Sequence, residues 1–324
     1  MKLNKVIKII FANVFIALFL IGCNTDPAST EEVIDEEKPA SEEGALEVIT
    51  SFTLLEDMAT EIGGDYINVY NLVPTGTDPH EYSPLPDDIK AVSNADMLLY
   101  NGLNLEGGDD GWFAKIIEST DQDWANAYQV TEGVEPEYIQ SDDGREEEIN
   151  PHSFLDPVVG ITMAENTRDA FIKADPDNED FYQENAEKYI DTLKEMDEQY
   201  KTKINEIPEE DRILVTSERA YQYMAKRYGL KEGFIWMIDT EENGTPEQIT
   251  SLINFIEENE PPVLFVETNV DRRPMETVSS ESGVEIFGEL YSDEIGEPGE
   301  EGDTYLKYLQ YNIDVIYEGL TSKE

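Results

Sequence analysis

Two runs of alternating strand and helix signals, split by one long helical stretch, constrain this chain more than any other feature. "LEVITSF" reads as a strand and "TLLEDMATEIGG" as a helix that stops at glycine. "INVYNLV" is a second strand, "DDIKAVSNA" is helical, "DMLLYNG" is a strand and "WFAKIIEST" a helix. A further helix runs from about Pro157. The alternation restarts with strand "RILVTS", helix "RAYQYMAKRYG" and strand "GFIWMI". Then come helix "TPEQITSLINFIEEN", with Thr245 as N-cap and Pro246 at the first helical position, strand "PVLFVET", a helix near "RRPMETVSSESG", strand "VEIFGEL" and a final helix "TYLKYLQYNIDVIYEGL". Such alternation predicts an α/β protein with mainly parallel sheets flanked by helices. Between the runs, Phe181, Tyr189, Leu193, Met196 and Tyr200 recur at helical steps apart from one gap of eight. The expected organisation is an N-terminal α/β lobe over 46–177, a linking helix over 178–205 and a C-terminal α/β lobe over 206–324. A cleft between two such lobes is a preferred place for a ligand.

The first 45 residues read differently. Lys2, Lys5 and Lys8 precede an apolar run from Ile9 to Gly22 that is interrupted only by Asn13. That run is short for a membrane span and has the shape of a signal-peptide core. It ends in "LIGC", and Cys23 is the only cysteine of the chain. A lone cysteine there predicts a lipoprotein signal over 1–22 and a lipid on the Cys23 sulfur. A polar, acidic tether over 23–45 follows, and the domain is expected to sit on the outer face of the cell membrane. With no other cysteine, internal disulfides and thiolate metal sites are excluded.

Charge narrows the partners. The chain carries 73 acidic against 22 basic residues, a formal net charge of −51. Nucleic acid is excluded as a partner on this reading, because displacing phosphate counterions needs cations. Acids spread along the whole length also suggest a saline habitat. At about 1 M salt the Debye length falls to ~3 Å and self-repulsion is screened.

Histidine is the scarce resource. The chain has two, His80 in "TGTDPHEYSPLP" and His152 in "NPHSFLDP", each after a proline in a loop-forming setting. No glycine-rich turn matches a dinucleotide or phosphate loop, and no cysteine nucleophile is available in the domain. A paired-carboxylate enzyme stays open, but no spacing singles out a pair among so many acids. Imidazole and carboxylate together suit a metal. Further ligands are then expected at the carboxyl ends of second-run strands, where α/β sheets place their ligands. Glu218 follows "ILVTS" and Asp293 follows "IFGELYS". The bland alternatives are solvated acids and loop histidines bonded to backbone.

The segments "NLVPTGTDPHEYSPLPDDI", "NGLNLEGG", "NPHSFLDP", "ILVTSERAYQYMAKRYGL", "IWMIDTEENGTPEQI", "LFVETNVDRRPMETVS" and "LYSDEIGEPGEEGDTYLKYLQYNIDVI" occur in order along the chain. Together they resemble the solute-binding lipoproteins of manganese and zinc ABC importers, over essentially the whole domain. The resemblance implies two lobes joined by one long helix and a metal held by His80, His152, Glu218 and Asp293. It also implies a monomeric receptor, not an enzyme, whose partners are an ABC permease and its ATPase subunit. The sequence departs from the family's Ser-Glu-Gly pattern at Arg219, beside Glu218, where a cation could compete with the metal. Zinc-type relatives usually carry a third histidine; this chain has none. The segment Thr131–Asn150, where a histidine-rich loop would lie, is acidic and reads as a solvated loop. Two imidazoles and two carboxylates favour Mn2+, then Fe2+, over tetrahedral Zn2+. Protonation of the histidines is expected to weaken binding below about pH 6. Two other readings are a surface adhesin, on anchoring alone, and a metal-dependent hydrolase, which would need an open coordination position and a base.

The charge balance carries its own test. Thermal unfolding of the domain in 0.1 M and 2 M KCl should show a clear rise in Tm with salt, because screening relieves acid–acid repulsion. An unchanged Tm removes the high-salt reading.

Overall fold

The computed structural model describes residues 44–140, 147–238 and 244–322. The expected signal segment, Cys23, nearly all of the tether and part of the acidic segment after Gln140 lie outside these residues. Among the described residues no helix is long and apolar enough to cross a membrane.

The first run folds as the alternation predicts. Strand β1 (Leu46–Phe52) leads into helix α1 (Thr53–Gly63), then β2 (Ile67–Val73), α2 (Pro86–Ser93), β3 (Met97–Tyr100), α3 (Trp112–Ser119) and β4 (Ala127–Gln129). These strands form one sheet in the order β2-β1-β3-β4, parallel throughout. A short antiparallel pair, β5 (Tyr138–Gln140) with β6 (Glu147–Ile149), follows. It falls in the segment the sequence presented as a polar loop. Its acidic side chains hid it, since three-residue strands leave little periodicity to read. Helix α4 (Pro157–Ala174) comes next, its first turn capped by Asp156, whose carboxylate accepts from the Val158 N–H at 2.9 Å.

Helix α5 (Glu179–Glu206) is the longest of the described helices, 28 residues or about 42 Å. Its buried stripe is Tyr182, Ala186, Tyr189, Ile190, Leu193, Met196, Tyr200 and Ile204. The gap of eight in the apolar spacing is thus filled by Tyr182 and Ala186. Phe181 stands off the stripe and packs its ring edge against Tyr66. The helix lies against α1 and α4 on one side of the chain and, on the other, against α6 (Gln222–Tyr228) and α9 (Tyr305–Leu320).

The second run contains β7 (Ile213–Glu218), α6, β8 (Lys231–Trp236), α7 (Pro246–Asn259), β9 (Leu264–Glu267), α8 (Arg273–Ser282), β10 (Ile286–Leu290) and α9. Strand β8 begins earlier than the apolar pattern suggested and stops at Trp236. The strands pair in parallel as β7 with β8 and β9 with β10, and β7 lies beside β9. Thr245 caps α7 as expected, with Gln248 returning the bond to the Thr245 N–H. One apolar core runs from the first sheet through α5 to α9. A second, built from Ile213, Val215, Ile235, Leu252, Leu264 and Met275 among others, fills the space under β7, β8 and β9. The architecture is α/β with parallel sheets flanked by helices on either side of one long helix.

Candidate metal centre

Each of the four expected residues is delivered by a strand end or by the loop after it, and each loop is held independently. The loop after β2 carries His80. The Trp112 indole N–H donates to the Pro79 carbonyl at 2.8 Å, which anchors the loop just before the histidine. Downstream, buried Asp88 accepts from the Tyr70 and Tyr82 hydroxyls at 2.8 and 2.7 Å and from the Leu85 N–H at 2.6 Å. The prolines stiffen what these bonds fix. His152 opens a single helical turn, His152–Leu155, just before α4 and is fully buried.

Glu218 is the last residue of β7 and is fully buried. Its backbone N–H and that of Ser217 donate to the Glu267 carboxylate of β9, at 2.9 and 3.1 Å. Glu267 thereby ties two strands together at the point where the Glu218 side chain leaves. Burial raises the Glu267 carboxyl to about 7, against the pull of those backbone donors. Asp293 lies just beyond β10. The Asn269 amide donates to its Oδ2 at 2.8 Å, which leaves Oδ1 on the side of the histidines. The Tyr291 and Ser292 carbonyls before it are held by the Tyr221 and Tyr308 hydroxyls, at 2.8 and 2.5 Å.

The four side chains meet. His80 Nε2 lies 3.3 Å from His152 Nε2. His152 Nε2 is 2.9 Å from Asp293 Oδ1 and 3.5 Å from Glu218 Oε1, and His80 Nε2 is 3.7 Å from Asp293 Oδ1. Donor atoms of His80, His152 and Glu218 all lie within 4.8 Å of one another. Only His80 touches solvent, with 11 % of its side chain exposed. A cavity of about 450 Å³, lined by Asp78, Glu81, Asp293 and Glu294 among others, opens beside the cluster. The Gly76 N–H donates to Glu294 across its rim.

Burial of this much charge has to be balanced within the site. Burial favours the protonated Asp293 carboxyl, but the two imidazoles outweigh it and hold Asp293 well below the usual carboxylate range. Burial holds the His152 imidazole below its ordinary value despite Asp293. At the rim, burial also disfavours charge on His80, yet the Asp293 and Glu218 carboxylates prevail and raise it to about 9. A proton on His80 therefore offsets part of the acidic charge, in the position where a cation would do the same.

Arg219 does not enter the site. Its guanidinium lies 3.3 Å from Glu232 and over the Phe234 ring, 5.2 Å from its centroid. Sequence reasoning missed the layer behind these four side chains: Glu267, Asn269 and Asn150, whose Oδ1 lies 2.8 Å from His152 Nδ1. A rule that selects acids and histidines at strand ends overlooks Asn150 and Asn269, which read as ordinary loop formers.

A buried pocket of two imidazoles and two carboxylates, set between two sets of parallel strands, defines a divalent-metal-binding protein of α/β architecture. Residues 48–319 match the family model for ZnuA, the periplasmic component A of the zinc-uptake complex, and the chain belongs to that family. The family comprises substrate-binding components of metal ABC transporters, not enzymes. The chain is 40% identical over 309 residues to the metal ABC transporter substrate-binding lipoprotein SsaB of Streptococcus sanguinis, covering 94% of this chain and 98% of that one. It is 41% identical over 278 residues to the manganese ABC transporter substrate-binding lipoprotein PsaA of Streptococcus pneumoniae, covering 85% and 89%. Among solved structures, the Mn-bound periplasmic metal-binding protein of Candidatus Liberibacter asiaticus superposes with a TM-score of 0.76 at 28% identity, covering 84% of this chain and 98% of that one. The periplasmic zinc-binding protein TroA of Treponema pallidum gives 0.77 at 25% identity, covering 86% and 99%.

The placement of Arg219 generates a prediction. Because its side chain is engaged by Glu232 and Phe234 and by none of the four site side chains, Arg219→Ala should leave Mn2+ affinity within about threefold of the parent. A tenfold or larger gain on calorimetric titration would mean that Arg219 competes with the metal.

Proposed function

We propose that this protein is the lipid-anchored, extracytoplasmic receptor of a metal ABC importer. It captures Mn2+ with His80, His152, Glu218 and Asp293 and presents it to a membrane permease driven by an ATPase subunit. The observation that carries this reading is the convergence of those four side chains, three of them fully or almost fully buried, on one point at the strand ends. The lobes at 46–177 and 206–324 supply two ligands each, on either side of helix 178–205, and a lipid on Cys23 keeps the receptor at the membrane surface. Relatives named as manganese-transporter lipoproteins support Mn2+ as the cargo, and TroA keeps Zn2+ as the second reading.

The donor set suits that cargo. Two carboxylates neutralise a divalent ion, so its transfer into a nearly closed pocket is tolerable. A mixed nitrogen and oxygen set with carboxylates able to bind through one or two oxygens allows coordination above four, which fits Mn2+ or Fe2+ better than tetrahedral Zn2+. In a test tube Zn2+ still binds well, because the Irving–Williams order places it above Mn2+.

The pH dependence follows from His80. With its proton retained up to about pH 9, metal entry has to displace that proton at any lower pH. Affinity is therefore full above pH 9 and declines as pH falls, a higher window than an ordinary histidine would give. Calorimetric titration with Mn2+ at pH 8.5 and 6.5, in buffers of different ionisation enthalpy, should show about one proton released per ion. Affinity should drop by about tenfold per pH unit, the slope for one displaced proton. Failure to bind Mn2+ or any other divalent metal overturns the functional reading; binding without proton release overturns the role of His80.

A further inference from the structure

Behind His152 lies a side chain whose four hydrogen bonds permit only one assignment. Asn150 is fully buried. Its Oδ1 accepts from the His152 backbone N–H at 3.0 Å and faces His152 Nδ1 at 2.8 Å. Its Nδ2 donates to the Arg219 carbonyl at 2.9 Å and to Gln222 Oε1 at 3.0 Å. A backbone N–H can only donate and a backbone carbonyl can only accept, so the amide cannot be turned round. The main chain of Asn150 is fixed as well: its N–H donates to the Glu137 carbonyl at 2.8 Å, and its own carbonyl accepts from the Tyr223 hydroxyl at 2.8 Å.

This geometry places a proton on Nδ1 of His152. An oxygen held 2.8 Å from Nδ1 requires Nδ1 to be the donor. That leaves Nε2, which faces Asp293 Oδ1 at 2.9 Å and His80 Nε2 at 3.3 Å, as the nitrogen whose lone pair is given to a bound ion. The opposite tautomer would place two acceptors against each other and turn an N–H toward the ion. The same amide grips the carbonyl of Arg219, the residue next to Glu218. The group that orients one imidazole is thus braced against the backbone that carries a carboxylate.

We infer that Asn150 is a positioning residue for metal capture: its side-chain oxygen holds the His152 proton on Nδ1, so that Nε2 meets the metal as a ready donor. The inference rests on the functional reading above and adds to it a residue that never touches the ion. Loss of such a partner to a ligating histidine typically weakens metal affinity by about 10–100-fold.

Two substitutions separate positioning from bulk stability. Asn150→Ala removes the acceptor and the brace. Asn150→Asp keeps an acceptor toward Nδ1, gives up both donors to Arg219 and Gln222, and buries a charge, so it is the harsher change for folding. Mn2+ affinity is measured by titration, folding by Tm, and the tautomer by long-range 1H–15N spectra of the Zn2+-loaded and metal-free chain. With only two histidines, those spectra are simple to assign. Asn150→Ala should lose about 10–100-fold in Mn2+ affinity together with the Nδ1–H signature of His152. Asn150→Asp should retain that signature and bind Mn2+ at least several-fold more tightly than Asn150→Ala, even with a lower Tm. Parental affinity in Asn150→Ala, or an Asn150→Asp variant that lacks the signature or binds no better than Asn150→Ala, overturns the inference. If the parent itself binds no metal, the functional reading fails alone, and the metal-free spectra still decide whether Asn150 sets the tautomer. An Asn150→Ala chain that does not fold leaves the decision to Asn150→Asp and the parent: the Nδ1–H signature in both supports the inference, and its absence from either overturns it.

Discussion

Two buried carboxylates facing two imidazoles set the terms for the rest of this structure. Glu218 and Asp293 are almost wholly removed from water, and so is His152. Such a cluster persists only if cations, donors and backbone dipoles balance it locally. The balance is visible residue by residue: Asp293 and Glu218 favouring the charged form of His80 at the rim, the Asn269 amide on Asp293, and Asn150 on His152. On the function proposed above, a divalent ion replaces the rim proton with a charge that the acids neutralise more completely. On that reading, capture is an exchange of cations.

That exchange needs the two sets of strands to keep their spacing. Several bonds outside the site hold it. The Tyr305 hydroxyl, at the start of α9, donates to the Phe154 carbonyl at 2.6 Å, two residues beyond His152. The Tyr305 N–H donates at 2.9 Å to Asp57 on α1. Asp156, which caps α4, pairs with Arg227 on α6. Helix α5 packs on elements from both runs.

Much of this was legible in the sequence because the signals were local and redundant. Alternating apolar runs placed the parallel strands, Thr245 and Pro246 marked a helix start, and strand ends pointed to Glu218 and Asp293. Scarcity made His80 and His152 stand out. What stayed hidden depends on neighbours distant in sequence. Nothing local tells Glu267 apart from other acids; its role comes from β9 lying beside β7. Asn269 matters through a bond to a residue 24 positions away, and Asn150, only two residues from His152, is oriented by the Arg219 carbonyl 69 positions away. Arg219, alarming beside Glu218 in sequence, is held away from the site because β8 brings Glu232 and Phe234 to its side.

The central claim is that one ion occupies the point shared by His80, His152, Glu218 and Asp293. Anomalous diffraction at the manganese edge from crystals of the Mn2+-loaded protein tests it most directly. The account predicts one strong peak bonded to Nε2 of both histidines and to carboxylate oxygens of Glu218 and Asp293. A peak held only by surface acids, with the four side chains left as they are, would contradict it.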